Sequence, residues 1–379
     1  MATQRSRRSF LRSAASAAIA FPMINFGSFA VSADRARKYS TRVMDLMERA
    51  LVIDMLGVMT VRFDPSFWIR KLAEKDAQAL RDSGVTALHN AIGSGGPNAH
   101  ANAMTYFATM NGFIARNSEL LLFVDTVADI ERAKRTGKVA VVLGLQNAEH
   151  FRTPDDVPMF YGLGQRCAQL TYNTQNYYGS GSTDRVDGGV SDAGARLIEK
   201  MNEVGMLVDV SHCGDRTTLD AIEISRKPIA ITHSNCRALN DHPRLKTDEA
   251  IRKLAARGGV MGISGVRNFV RDREPTTIEH MVDHIDHVVK LVGIEHVGIG
   301  TDSDLHGYDD MPPADIERAK SFYDSTYRFR DKLDTDGFDD PLRFYDLTAA
   351  LVRRGYSDAH IEAILGGNFH RLLSEVWKA

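Results

Sequence analysis

The sequence predicts one α/β domain folded as a (β/α)8 TIM barrel, and three observations predict it. Eight short apolar runs of strand length recur along the chain, amphipathic stretches of helical period separate them, and the runs are apolar throughout instead of alternating. Continuous apolar strands belong to a parallel sheet covered on both faces. Eight alternations favour a closed barrel over an open doubly wound sheet. The missing Gly-rich loop after the first run weighs against a nucleotide fold.

The chain opens with Ser6-Arg7-Arg8-Ser9-Phe10-Leu11, a twin-arginine block, followed by an apolar run over 14–29 and the small residues Ala30-Val31-Ser32-Ala33. Residues 1–33 therefore read as a twin-arginine export signal and 34–379 as the barrel, with a periplasmic or secreted location. Pro22 and Asn25 interrupt the run, which falls short of the roughly 20 apolar residues of a membrane span. The strand runs follow at 51–53, 85–88, 139–145, 167–170, 206–210, 228–232, 259–263 and 297–300, most of them bounded by Gly, Pro, Asn or Asp. Helical patterns lie at 193–204, 217–225, 248–257 and 279–291. The segment 345–377 reads as two or three closing helices broken at Gly366-Gly367-Asn368, and the loops 177–189 and 305–315 follow strand ends and can wall a pocket.

With 43% hydrophobic residues the chain can bury one large core, and a net charge of −2 without a basic run gives no reason to expect nucleic acid or an acidic membrane as partner. Cys167, Cys213 and Cys236 are odd in number and widely spaced, so they make no disulfide framework. A small-molecule enzyme fits better.

Four strand ends deliver polar groups: Gln146; Asp209 with Ser211 and His212; His233 with Ser234; Asp302 with Asp304. In a barrel these converge on the face that carries active sites. Two imidazoles and a carboxylate around one centre form a common divalent-metal ligand set.

Val208-Asp209-Val210-Ser211-His212, Thr232-His233-Ser234, His242-Pro243-Arg244 and Gly298-Ile299-Gly300-Thr301-Asp302 resemble the signatures of the membrane (renal) dipeptidases. Leu170-Thr171-Tyr172-Asn173, Gly258-Gly259-Val260 and Gly366-Gly367-Asn368-Phe369 fall in the same order, so the resemblance spans nearly all of the mature chain. It implies a bimetal zinc hydrolase of dipeptides. One metal takes a His-x-Asp pair after the first strand and an Asp after the last, the other takes two histidines, and a glutamate bridges both. By position His212 and His233 match the histidine pair, Asp302 the last-strand aspartate, and Arg244 the arginine that takes a substrate carboxylate.

The departures carry as much information. Leu56-Gly57-Val58 stands where the family has His-x-Asp, Gln146 where it has the bridging glutamate, and Tyr172 where it often has a histidine near the scissile carbonyl. Leucine and valine carry no donor atom, so the first metal position is expected to be empty. One divalent ion remains, zinc, on His212, His233 and Asp302. Gln146 would orient a water, Tyr172 would donate to an oxyanion or line the pocket, and Arg244 would clamp a substrate carboxylate. His89, His150 and His306 are read as structural or solvent residues that can compensate for a lost ligand, His284 and His287 as surface residues, and Asp304 as an orienting or solvated loop acid. The expected activity is that of an exported metallo-dipeptidase-like hydrolase acting on a dipeptide or small carboxylate-bearing amide, with a homodimer as a possible assembly. Two rivals stay open: the same barrel running an elimination, isomerisation or retro-aldol step, or an inactive binding relative.

Overall fold

The computed structural model describes residues 38–60, 66–321, 323 and 325–378; the export signal read at 1–33 lies outside them. Eight parallel strands form the barrel: β1 (Ile53–Asp54), β2 (Ala87–Ile92), β3 (Val139–Leu145), β4 (Gln165–Gln169), β5 (Leu207–Asp209), β6 (Ala230–Ser234), β7 (Val260–Ile263) and β8 (Val297–Ile299). Each pairs with its neighbour in chain order, and β1 pairs with both β2 and β8, which closes the ring. All eight lie on the predicted runs. A short segment, Leu121–Phe123, adds to the start of β3, and a two-residue ribbon joins Gly57–Val58 to Ser303–Asp304 above β1 and β8.

The helices begin and end where side chains satisfy their free backbone groups. Asp192–Val204 starts at Ser191, whose hydroxyl accepts from Gly194 N, and stops at Gly205 in the left-handed region. Val127–Thr136 starts with a capping box of Thr126 and Asp129. Ile278–Val292 corrects one expectation: His284 is buried at 1% exposure, shares the inward stripe with Met281, Ile285 and Val288, accepts from Cys236 N and meets Val270 O. His287 stays part-exposed and pairs with Asp248.

Inside the ring, Ile53, Ala87, Ala140, Val142, Cys167, Leu207, Ala230 and Val260 pack on Phe369, Leu372, Leu373, Val376 and Trp377. Those last five come from the closing helix Asn368–Val376 and the residue after it. Asn368 Nδ2 donates to Val297 O, at the start of β8, and Trp377 Nε1 to Arg166 O, at the start of β4. The closing helix thus plugs the amino-terminal mouth with apolar side chains. Polar chemistry is left to the carboxyl ends of the strands.

Candidate active site

Two buried carboxylates stitch the strand ends together. Asp209 closes β5; its Oδ1 accepts from Ser211 N, Ser211 Oγ and Thr232 N, and its Oδ2 accepts from Thr232 Oγ1 at 2.7 Å. Asp54 closes β1 and does the same to the end of β8, accepting from Thr301 N at 2.8 Å, Thr301 Oγ1 at 2.7 Å and Leu56 N. Burial pushes the Asp54 carboxyl above the usual carboxylate range, against those hydrogen bonds. Each clamp presents the residue just after its threonine, His233 in one case and Asp302 in the other.

His212 and His233 meet at the mouth with their Nε2 atoms 3.0 Å apart. Counting protons shows what this contact means. Asn173 Oδ1 accepts from Tyr327 Oη at 3.1 Å and lies 2.6 Å from His212 Nδ1, so Nδ1 carries the proton and His212 Nε2 is bare in the neutral ring. Thr232 has one hydroxyl proton, and Asp209 takes it. His233 Nδ1, 2.8 Å from that same oxygen, must donate, which leaves its Nε2 bare too. Two lone pairs face each other and need a cation between them. Burial first, and the positive charge of Arg244 second, hold both imidazoles well below their ordinary pKa, so a third proton is disfavoured. The separation is close to the roughly 3.3 Å that two nitrogens keep when both ligate one tetrahedral zinc. The donor set therefore fits a divalent ion.

Asp302 lies outside that pair. Among the described residues no group of three His, Cys, Asp or Glu side chains is placed to hold a metal ion, so the three-ligand centre expected from sequence is not assembled. Strands β5 and β6 are neighbours, whereas β8, which leads into Asp302, stands two places from β6. Asp302 takes a positive φ of 54° and is pushed up to about 7 by burial, with Arg244 opposing the rise and Asp54 adding to it. Tyr172, Tyr308, Tyr323 and Tyr327 all sense its charge. It faces an aromatic wall at the same mouth.

Arg244 is fully buried and has no ion pair among the described residues, so it is no surface salt-bridge residue. Its guanidinium donates to Ser211 O and to His233 O, behind the two imidazoles, and its Nε has no partner. A buried cation bonded only to neutral carbonyls is an attractive field for an anion. Tyr172 stacks on His212, with ring centroids 4.2 Å apart, and the absence of a side chain at Gly93 makes room for it: a Cβ there would sit 2.8 Å from the ring. Gln146 Nε2 donates to Ala91 O and its main-chain carbonyl accepts from Gln169. Leu56 is buried, and Asp304 is buried at 4% instead of solvated.

Of the other histidines, His89 is bonded through Nδ1 to Met55 O, with Nε2 unpartnered over Gly144; His150 is buried between Asn147 O and Gln165 Oε1; and His306 pairs with Asp76. The loop at 177–189 braces His212, since Ser182 N donates to His212 O, while Tyr177 itself is 83% exposed. Asn173 belongs to the site, and so do Thr232, Tyr323 and Tyr327, which were not among the expected functional residues. The aromatic density of the stretch after 320 was the one available signal for the last two.

Residues 41–328 match the family described as Membrane dipeptidase (Peptidase family M19). The chain is 29% identical to Dipeptidase verJ of Clonostachys rogersoniana over 313 residues, 82% of this chain and 72% of that one. It is 30% identical over 267 residues to an uncharacterized dipeptidase, C965.12, of Schizosaccharomyces pombe, covering 68% of this chain but only 57% of the other. Among solved structures, an amidohydrolase from Pseudomonas aeruginosa superposes with a TM-score of 0.77 at 29% identity, over 88% of this chain and 99% of that one.

Proposed function

The chain belongs to the membrane dipeptidase family, and from that premise we propose that it is a dipeptidase-like hydrolase working with a single divalent ion on a dipeptide or small carboxylate-bearing amide. The family is metal-dependent. The observation that carries a single ion is the facing pair of bare Nε2 atoms on His212 and His233, set against Leu56 and Val58, which have no donor atom where the first metal's ligands would stand.

His212 and His233 would hold the ion. Bound there, a divalent ion polarises a scissile carbonyl and lowers the pKa of a water, from about 15.7 toward about 7. The chain's own groups do the rest. Arg244, planar and always charged, suits the substrate carboxylate, and its position behind the imidazoles fixes which end of the substrate faces them. Asp302, with a pKa of about 7 and no hydrogen bond to its carboxylate among the described residues, can take a proton from the nucleophile and return it to the leaving amine. Tyr172 offers a hydroxyl beside His212 to the developing oxyanion. A second reading, an elimination, isomerisation or retro-aldol step, draws support from Gln146, an amide that cannot act as the base a bridging glutamate would be. Export follows from the block at Arg7-Arg8; retention of an Arg7→Lys, Arg8→Lys double variant in the cytoplasm would bear it out, and unchanged export would end it.

The test is metal content followed by turnover. Zinc-loaded protein should hold about one equivalent, and His212→Ala should hold none while remaining folded. Two equivalents would overturn the single-ion proposal. Cleavage within a panel of L,L- and L,D-dipeptides supports hydrolysis; a loaded, folded protein that cleaves none of them favours the second reading.

A further inference from the structure

Beyond the helix Pro313–Lys320, Tyr323 and residues 325–330 form a strap anchored on the segments that follow β6 and β7. Tyr327 O accepts from His242 Nε2 at 3.0 Å and from Asn268 Nδ2 at 2.8 Å, and the next residue, Arg328, takes a positive φ of 50° and donates to Asp241 O. The ring of Tyr327 packs among Phe269, His242 and Phe329. Among the described residues, Tyr323 and Tyr327 of this strap each make a side-chain bond into the site, and both bonds end on residues that touch His212. Tyr327 Oη donates to Asn173 Oδ1, the acceptor of His212 Nδ1, and Tyr323 Oη lies 2.7 Å from Tyr172 Oη, on the ring stacked against His212.

The two phenols hold two protons, and their mutual bond uses one. The other has no acceptor among the described residues, because neither hydroxyl makes a second hydrogen bond. A hydroxyl that accepts a hydrogen bond becomes a stronger donor through its own proton. Tyr172 is the partner beside the imidazoles, held there by His212 and by the space at Gly93; Tyr323 is carried by the strap. We propose that Tyr323 is a positioning residue of the reaction centre: its hydroxyl donates to Tyr172 Oη and so directs the Tyr172 proton at the substrate's carbonyl oxygen. The role rests on the hydrolase function proposed above and adds to it a residue more than twenty positions beyond the last barrel strand.

The experiment is a double-mutant cycle of Tyr172→Phe and Tyr323→Phe in the zinc-loaded full chain, with a dipeptide that the wild type cleaves. Tyr172→Phe should lower kcat on the order of 10²-fold, and Tyr323→Phe about 10-fold, with KM little changed in both. The double variant should be no slower than Tyr172→Phe alone, since Tyr323 acts only through Tyr172. An unchanged kcat for Tyr323→Phe, or losses that multiply in the double variant, overturns the proposal while leaving hydrolysis intact. Should the wild type cleave no dipeptide, the hydrolase function falls separately, and the same cycle is measured as affinity for a phosphinate dipeptide mimic, whose tetrahedral oxygen needs the same donor. Non-additive weakening then supports the pair; additive weakening, no effect of Tyr323→Phe or no phosphinate binding by the wild type overturns it.

Discussion

Replacing Thr232 by valine removes one oxygen and leaves the shape almost unchanged, which makes it a clean probe of the proton count at the two histidines. The Thr232 hydroxyl gives its proton to Asp209 Oδ2 at 2.7 Å and accepts from His233 Nδ1 at 2.8 Å, and all three residues are buried. Thr232→Val deletes a hydrogen bond to a carboxylate, worth about 1.5–3 kcal/mol, and strands the His233 N–H, at about 1–3 kcal/mol. A loss near 3 kcal/mol in urea unfolding is the expected stability effect. The functional effect is separate: with no acceptor at Nδ1, His233 is free to move its proton to Nε2, where it would block the cation. Removing such an orienting partner typically weakens metal binding 10–100-fold. Zinc affinity measured by competition with a chromophoric chelator should fall by that factor in Thr232→Val and stay near wild type in Thr232→Ser, which keeps the hydroxyl. If Thr232→Val loses stability but keeps its zinc affinity, Thr232 is a strut alone, and the inference that both Nε2 atoms are bare is wrong.

Gln146→Glu would place a carboxylate oxygen where Nε2 now donates to Ala91 O; about 1–3 kcal/mol of stability should be lost, with zinc content staying at one, and a rise to two would mean that Leu56 and Val58 do not decide the stoichiometry. Gly93→Ala would put a Cβ 2.8 Å from the Tyr172 ring, an overpacking worth about 1–3 kcal/mol, and should lower kcat by moving that ring off His212; a variant with wild-type kcat would show that the stack is dispensable. His150, His242 and His284 are each pushed down to about 4, by burial above all. A depressed folded pKa means stability that is fully present above the unfolded value near 6.5 and is lost as pH falls toward 4, by roughly 1.4 kcal/mol per pH unit per histidine once below 6.5. Urea midpoints from pH 7 to pH 4 should therefore drop steeply, with an uptake near three protons on unfolding from these groups, and a flat profile across that window would contradict their buried, neutral state.

All eight barrel strands were legible because a doubly covered parallel strand must be apolar on both faces, and no other element in this chain repeats that pattern eight times. His212 and His233 were legible for a related reason: a polar side chain that ends an apolar run is placed by the strand itself. Distance was beyond the reach of the same logic. Convergence on one mouth is a statement about a ring of eight ends, and it took the neighbouring β5 and β6 to bring two imidazoles to 3.0 Å, while Asp302, just past β8, joins them in no three-group cluster among the described residues. His284 was misplaced although its burial was readable, since it falls in register with Met281, Ile285 and Val288 on the stripe that a helix packed on the barrel must bury. Tyr323 and Tyr327 follow no period. Loop residues are set by tertiary anchors such as Asn268 and His242, and nothing local encodes those.

The two aspartate clamps hold the strand ends at this mouth by protein hydrogen bonds alone. Asp54 with Thr301 and Asp209 with Thr232 are the same device built twice, each joining the ends of two neighbouring strands and each satisfied by backbone N–H and hydroxyl donors that owe nothing to a metal. On the β5 side the chain continues into Ser211 and His212, so the clamp aims an imidazole. On the β1 side it continues into Leu56, buried, and Gly57, whose missing Cβ is required because one would lie 2.5 Å from Asp54 Oδ2. The Asp54 clamp is thus packed so tightly against its own loop that a side chain at 57 is excluded. Stability at this mouth resides in the clamps, and of the two only the Asp209 clamp leads into the facing imidazoles.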